Sequence, residues 1–310
     1  MDLAELEVFL TVARERSFSR AAEKLFRTQP AVSIAIRRLE EAVGQPLFVR
    51  GAREGKLTDA GALLVEYAER MLNLRGEINK AMEDLRGLGR GKLAIGVNES
   101  SIHALLPALA RYRQLHPGVA VSVHRTFSRD IPNEVLNYRL DFGVVSYIPQ
   151  EEKLCAVEFL RDELTFVVPP GHRLARRRTV DIAELGEDTF VAHIVESPYR
   201  WHVIQLFEKH RVPLNMQVNL PTIESIKRFV QMGMGVAIVP RMCVRWEVER
   251  GLLVEVKIRQ MKIPRHLFAV YRRDTKLSHA ARALLRLLRR QDAVTSRTPQ
   301  RNAKETSGPE

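Results

Sequence analysis

Gln29, Ser33 and Arg37 recur at every fourth position, with Arg38 beside the last of them. On an α-helix that spacing stacks an amide, a hydroxyl and a guanidinium on one face. An amide in such a row suits an adenine edge, and a hydroxyl can donate to or accept from either base type. A guanidinium neutralises phosphates without reading sequence. The same row also fits the solvated side of an ordinary helical hairpin, and periodicity alone leaves both readings open. The elements that must hold the row are legible nearby. Thr28 is a good N-cap, and Pro30 falls in the first turn, where its missing N–H costs nothing. Val32, Ile36, Leu39 and Val43 form the opposite, apolar face, and Gly44 stops the helix.

Upstream, Asp2 caps a helix with Leu3, Leu6, Phe9 and Leu10 on one side. A second helix starting at Ser17–Ser19 turns Ala21, Ala22 and Leu25 inward, and the turn Phe26-Arg27 contains no glycine. Downstream, Leu47–Arg50 and Lys56–Thr58 flank a charged glycine-containing turn and read as a small hairpin or wing, carrying Arg50 and Arg53. From Thr58 or Asp59 a long helix follows, with Ala60, Leu64, Tyr67, Met71, Leu74, Ile78, Ala81, Leu85 and Leu88 in steps of four and three. Such a heptad seam suits a contact between two chains, with Leu64, Tyr67, Met71, Leu74, Ile78 and Leu85 as its dimerisation residues. Gly87, Gly89 and Gly91 end it.

Strands and helices alternate from Lys92 onward. The strand candidates are Leu93–Val97, Ala120–Arg125, Asp141–Val145, Leu164–Val168, Phe190–Ala192, Met216–Asn219, Val236–Val239 and Leu267–Tyr271. Helices are expected from Ser100/Ser101 to His116, at Pro132–Tyr138, from Ser197 to Lys209, from Thr222 to Met232, at Arg241–Glu249 and at Ser278–Arg290. This alternation predicts α/β architecture with mainly parallel sheets, in two lobes split near Leu160–Leu164.

The chain has 310 residues, 45% of them hydrophobic, enough for two domains. No apolar run approaches a membrane span and no secretory signal is evident, so a cytoplasmic protein is expected. The net charge of +12 invites a polyanionic partner. However, Met1–Thr58 carries ten Lys/Arg against eight Asp/Glu, while Tyr271–Glu310 carries ten against four. Charge therefore says little for the N-terminal helices. Cys155 and Cys243 have no metal or redox spacing and read as reduced thiols. There is no phosphate loop, nucleophile elbow or His-Glu-x-x-His; Gly233-Met234-Gly235 is too short for a dinucleotide fingerprint. No residue set argues for an enzyme, a cofactor or a metal.

A further pattern decides between the readings of the first helices. Phe18, Ala21, Ala22, Leu25, Gln29-Pro30-Ala31-Val32-Ser33, Ile36, Leu39-Glu40, Gly44, Leu47-Phe48, Arg50, Leu57-Thr58, Ala60-Gly61 and Leu64 together closely resemble the DNA-binding domain of LysR-type transcriptional regulators. Leu140-Asp141-Phe142-Gly143, His172-Arg173-Leu174-Ala175 and Gly233–Pro240 are similar to that family's effector half. The resemblance spans about Met1 to Arg290; Arg27 departs from it, where the family often has an apolar residue. It implies a winged helix-turn-helix over 1–58 (motif about 18–37) and a dimerising linker helix over 59–90. It also implies an effector domain over 91–291 that resembles type 2 periplasmic binding proteins. Lobe 1 would comprise 91–163 and 268–291, and lobe 2 residues 164–267; residues 292–310 read as a disordered tail.

From the resemblance, Thr28, Gln29, Pro30, Ser33, Arg37, Arg38, Arg50 and Arg53 are the expected DNA-binding residues. Promoter DNA, RNA polymerase, a second copy in a homodimer or homotetramer and a small inducer are the expected partners, and the nucleoid the expected location. Three helices open with hydroxyl residues, at Ser100/Ser101, Ser197 and Thr222. In the family fold they face the interlobe cleft with Thr126 and Ser146. Helix N-termini favour anions, so a carboxylate or similar small anion is the expected inducer. Glu99 and Glu196 beside the caps would repel it. The alternative function is a cytoplasmic solute-binding module without regulatory DNA binding.

Overall fold

The computed structural model describes residues 1–49, 55–85, 91–273 and 277–295. Asp2 caps α1 (Leu3–Glu15) and Glu5 completes a capping box with it. Ser17 caps α2 (Phe18–Lys24), and Thr28 caps α3 (Gln29–Val43), its hydroxyl accepting from the Ala31 amide. These helices close over Leu6, Phe9, Ala21, Ala22, Val32, Ile36 and Leu39. Small Ala21 and Ala22 let α2 approach closely. Val43, expected on the apolar face, is instead exposed, because the helix turns past its partners in its last turn before left-handed Gly44.

The wing is tied down from both sides. Glu40 accepts from the Leu47 amide at 2.7 Å, and Phe48 bridges antiparallel to Leu57. Phe48 packs edge-on against Phe9 and Phe18. The tip with Arg50 and Arg53 lies outside the described residues. Helix α4 (Asp59–Leu85) starts hard against the wing: a Cβ on Gly61 would lie 2.1 Å from the Leu47 carbonyl oxygen, so only glycine fits there.

The remaining elements build two lobes. In lobe 1, β2 (Val119–Arg125), β1 (Gly91–Val97) and β3 (Phe142–Val145) are parallel, covered by α5 (Ile102–Leu115), α6 (Ile131–Leu136) and α10 (His279–Thr295). Its core holds Ile95, Leu105, Tyr112, Phe142, Phe159 and Leu284. Lobe 2 contains the parallel pair β6 (Thr189–His193) and β7 (Asn215–Leu220) with α7 (Pro198–Lys209) and α8 (Ile223–Gln231). It also contains β5 (Thr179–Val180), β8 (Ala237–Pro240), α9 (Arg245–Glu249) and β9 (Val254–Ile258). Phe166, Phe190 and Phe207 sit in its centre.

Two long strands cross between the lobes. β4 (Leu154–Val168) pairs antiparallel with β10 (Pro264–Arg272) along lobe 1, then with β8 and β9 in lobe 2. The expectation of mainly parallel sheets is thus corrected at the crossing, where the return of the chain forces antiparallel pairing. Leu154–Phe159 of β4 and the two-residue β5 carry no alternating pattern long enough to be noticed in sequence, whereas β9 alternates over Val254-Glu255-Val256-Lys257-Ile258 and was legible, though it is absent from the expected strands. The last helix reaches Thr295 and so overlaps the start of the expected tail; residues 296–310 lie outside the described residues. So do residues 86–90, the end of the expected linker helix with Gly87, Leu88 and Gly89.

Helix α4 also touches lobe 1. Asn73 donates to the Asn137 carbonyl at 2.9 Å, and Lys80 lies 3.3 Å from Asp141. Buried Arg272 pairs with Glu77 at 2.9 Å. Burial and the neighbouring Asp141 push the Glu77 carboxyl above its ordinary range. Glu69 is shared between Arg14 of α1 and Arg139 of lobe 1.

Candidate functional site

The first site is the outer face of α3. Gln29 is exposed, and its amide donates to Ser33 Oγ at 3.0 Å; Arg37 and Arg38 follow, both exposed. Thr28 and Pro30 form the helix start beside them. The preceding turn, lacking glycine, puts Phe26 in the left-handed region (φ 54) with its ring 97% exposed. A bulky residue there costs on the order of 1 kcal/mol.

The stripe on α4 is Leu63, Tyr67, Met71, Leu74, Ile78 and Met82, all exposed large apolar residues. Leu64, expected in the seam, packs instead on the N-terminal core with Ala60, because the first turns of α4 lie against α1. Leu63 takes its place on the open side. The Leu85 side chain lies outside the described residues.

The second candidate site is the junction where the lobes meet. Ser197 and Thr222 cap α7 and α8 as expected, accepting from the amides of Arg200 and Ser225. The expected hydroxyl cap at α5 is corrected. Asn98 caps a short 3₁₀ turn, Glu99–Ser101, and Ser101 makes no cap hydrogen bond. The two serines instead hold Arg265, whose Nη2 donates to Ser100 Oγ at 2.8 Å and Ser101 Oγ at 3.0 Å. The Ser146 carbonyl accepts from the Tyr199 hydroxyl at 2.9 Å, a bond from lobe 2 to lobe 1. The Thr126 amide donates to the Val97 carbonyl, and neighbouring Arg125 reaches Glu99.

Arg265 escaped the sequence reading. It is 2% exposed, at the crossing of β10 and β4, with Asp162 at 3.6 Å. Burial pushes the Asp162 carboxyl up, and Arg265 pulls it part of the way back. The available signal was parity: Arg265 shares the inward side of β10 with Leu267 and Ala269. Arg125, His193 and Tyr199 had no local signal, whereas Asn98, a favourable N-cap residue just before Ser100 and Ser101, offered one.

Nearby, Lys227 and Glu247 form a buried pair at 2.6 Å. Burial pulls the Lys227 ammonium down, but Glu224 and Glu247 more than offset it and hold it above its ordinary value. Burial and Lys227 keep the His103 imidazole below its ordinary value. Burial pushes the Cys243 thiol up to about 12, so it stays protonated. Among the described residues, no group of three or more His, Cys, Asp or Glu could hold a metal, and no helix is long and apolar enough to cross a membrane.

A winged helix-turn-helix joined by a long helix to a two-lobed domain is the build of a DNA-binding protein that answers to a small molecule. Known proteins narrow that class. Residues 3–62 match the family model described as "Bacterial regulatory helix-turn-helix protein, lysR family", and residues 86–293 match "LysR substrate binding domain". The chain belongs to the LysR family of transcriptional regulators. It is 35% identical over 286 residues to a probable RuBisCO transcriptional regulator of Cyanidioschyzon merolae, covering 90% of this chain and 94% of that one. The crystal structure of full-length CbnR complexed with target DNA shares the fold. It has a TM-score of 0.72 at 19% identity, over 94% of this chain and 99% of that one. The CcmR regulatory domain of Synechocystis PCC6803, in complex with 2-PG, matches 68% of this chain and all of its own, at 26% identity and a TM-score of 0.59.

Proposed function

We propose that this regulator reads promoter DNA through Gln29 and Ser33 of α3, with Thr28 and Pro30 setting the helix start at the groove and Arg37 and Arg38 holding phosphates. The observation that carries this is the Gln29–Ser33 pair, at 3.0 Å on the outer side of a helix whose other side packs through Val32, Ile36 and Leu39. Arg50 and Arg53 on the wing extend the contact to the flanking backbone. The apolar stripe on α4 meets the same stripe of a second copy, presenting two reading helices to paired half-sites, and two such dimers make a tetramer.

A small anion binds between the lobes and biases the DNA contact and the contact with RNA polymerase. Ser100, Ser101, Thr126, Ser146, Ser197 and Thr222 border its site, with Arg265 beneath. The CcmR domain with bound 2-PG supports an effector in this half of the molecule. The protein works in the cytoplasm, at the nucleoid, without catalytic turnover.

The test is footprinting on upstream DNA with Gln29→Ala and Ser33→Ala. Each is expected to narrow the gap between operator and competitor DNA by roughly ten- to a hundredfold. Circular dichroism and oligomeric state should not change. Unchanged selectivity overturns the assigned readout.

A further inference from the structure

The cleft is already bridged by an anion, and that anion belongs to the chain. Glu99 stands on the 3₁₀ turn after β1 in lobe 1, yet its carboxylate lies against lobe 2. Oε1 accepts from the Ile223 amide at 2.7 Å, an otherwise free donor in the first turn of α8. Oε2 lies 3.3 Å from His193 Nε2 at the end of β6. His193 Nδ1 accepts from the Val195 amide at 3.0 Å, so the ring proton is on Nε2 and points at Glu99. Arg125 of lobe 1 stands 3.5 Å away with 64% of its side chain exposed. The turn that delivers the carboxylate is fixed by Asn98 and by the clamp of Arg265 on Ser100 and Ser101.

Two N–H donors and a cation around one carboxylate make a seat for an anion. We infer that Glu99 is a built-in occupant of this seat and a latch between the lobes, and that an anionic effector binds by exchange with it. Exchange leaves the α8 end of lobe 2 held by the effector rather than by lobe 1, while Glu99 turns to Arg125. The inference rests on the reading that the cleft takes a small anion. It turns the repulsion expected from Glu99 into a mechanism: the internal anion lowers apparent affinity by the fraction of time it holds the seat.

The experiment uses the full-length protein, with inorganic phosphate as the probe. Glu99→Ala opens the seat and is expected to bind phosphate at least about tenfold more tightly than the unaltered protein. Glu99→Gln keeps an acceptor oxygen without the charge and should fall between them. Equal or weaker binding by Glu99→Ala overturns the latch. If the unaltered protein binds phosphate with the same affinity, the anion reading stands and the latch alone falls; if no form binds, both fall. A second readout needs no ligand. Hydrogen–deuterium exchange of the peptide carrying Ile223 should be slow in the unaltered protein, fast in Glu99→Ala, and slow again on adding phosphate. The same exchange rate in both proteins overturns the latch. Glu99→Gln, nearly isosteric, guards against a variant that misfolds.

Discussion

The two functional regions are assembled in opposite ways. On α3 the residues that would touch DNA lie within ten positions of one another, and one helix with its cap and packed face sets their geometry. In the cleft the partners come from the whole domain. Glu99 meets Ile223 across 124 positions, and Ser100 meets Arg265 across 165. The first surface can therefore change residue by residue without disturbing the fold, whereas the second is part of the fold.

Substitutions can break or sharpen that contrast. The largest effect is expected from Arg265→Met. Removing one partner of a buried pair typically costs about 3–5 kcal/mol, here with loss of the Ser100/Ser101 clamp. The effector half should unfold earlier in denaturant while the N-terminal module keeps its stability. The pH dependence follows from Asp162. Its carboxyl is already pushed up by burial, and Arg265 no longer opposes this in the variant. Stability tied to a raised carboxyl is present below its unfolded value and lost as pH rises through the folded one. The deficit should then be larger at about pH 8 than at about pH 5. An equal deficit at both would show that the pair is not the source.

An intermediate effect is expected from Arg37→Ala. A phosphate contact carries no sequence information, so affinity should fall alike on operator and random DNA, and the salt slope should shrink by about one unit. A fall confined to the operator would move Arg37 into the reading group. The smallest effect concerns Cys243. With its thiol held up to about 12 and buried, iodoacetamide should label Cys155 in the native protein and spare Cys243. Between about pH 9 and 12 the unfolded chain releases that proton first, so stability should fall as pH climbs through this window. Fast labelling of Cys243 would mean that the lobes open widely at rest.

The same contrast explains what the sequence disclosed. Thr28, Gln29, Pro30 and Ser33 announce a capped helix and its outer face by spacing alone. The α4 stripe was legible in period, but its first turns were misassigned: spacing cannot tell that Leu64 faces α1 while Leu63 is open. In the cleft, the caps at Ser197 and Thr222 were readable because capping is local. Ser100 and Ser101 were misread for want of a long-range fact, namely that Arg265 returns on β10 to take their hydroxyls. Glu99 appeared as an obstacle to an anion because its partners, Ile223 and His193, lie in the other lobe.

Glu69 of α4 serves Arg14 of the DNA-reading module and Arg139 of lobe 1 at once. A carboxylate shared in this way belongs to three bodies, and none can shift its claim without the others registering it. Thermodynamic reciprocity then applies: whatever factor the effector imposes on operator affinity, the operator imposes on effector affinity. The promoter is in that sense a second ligand, and a regulator seated on its site senses its effector on a different scale from one free of DNA.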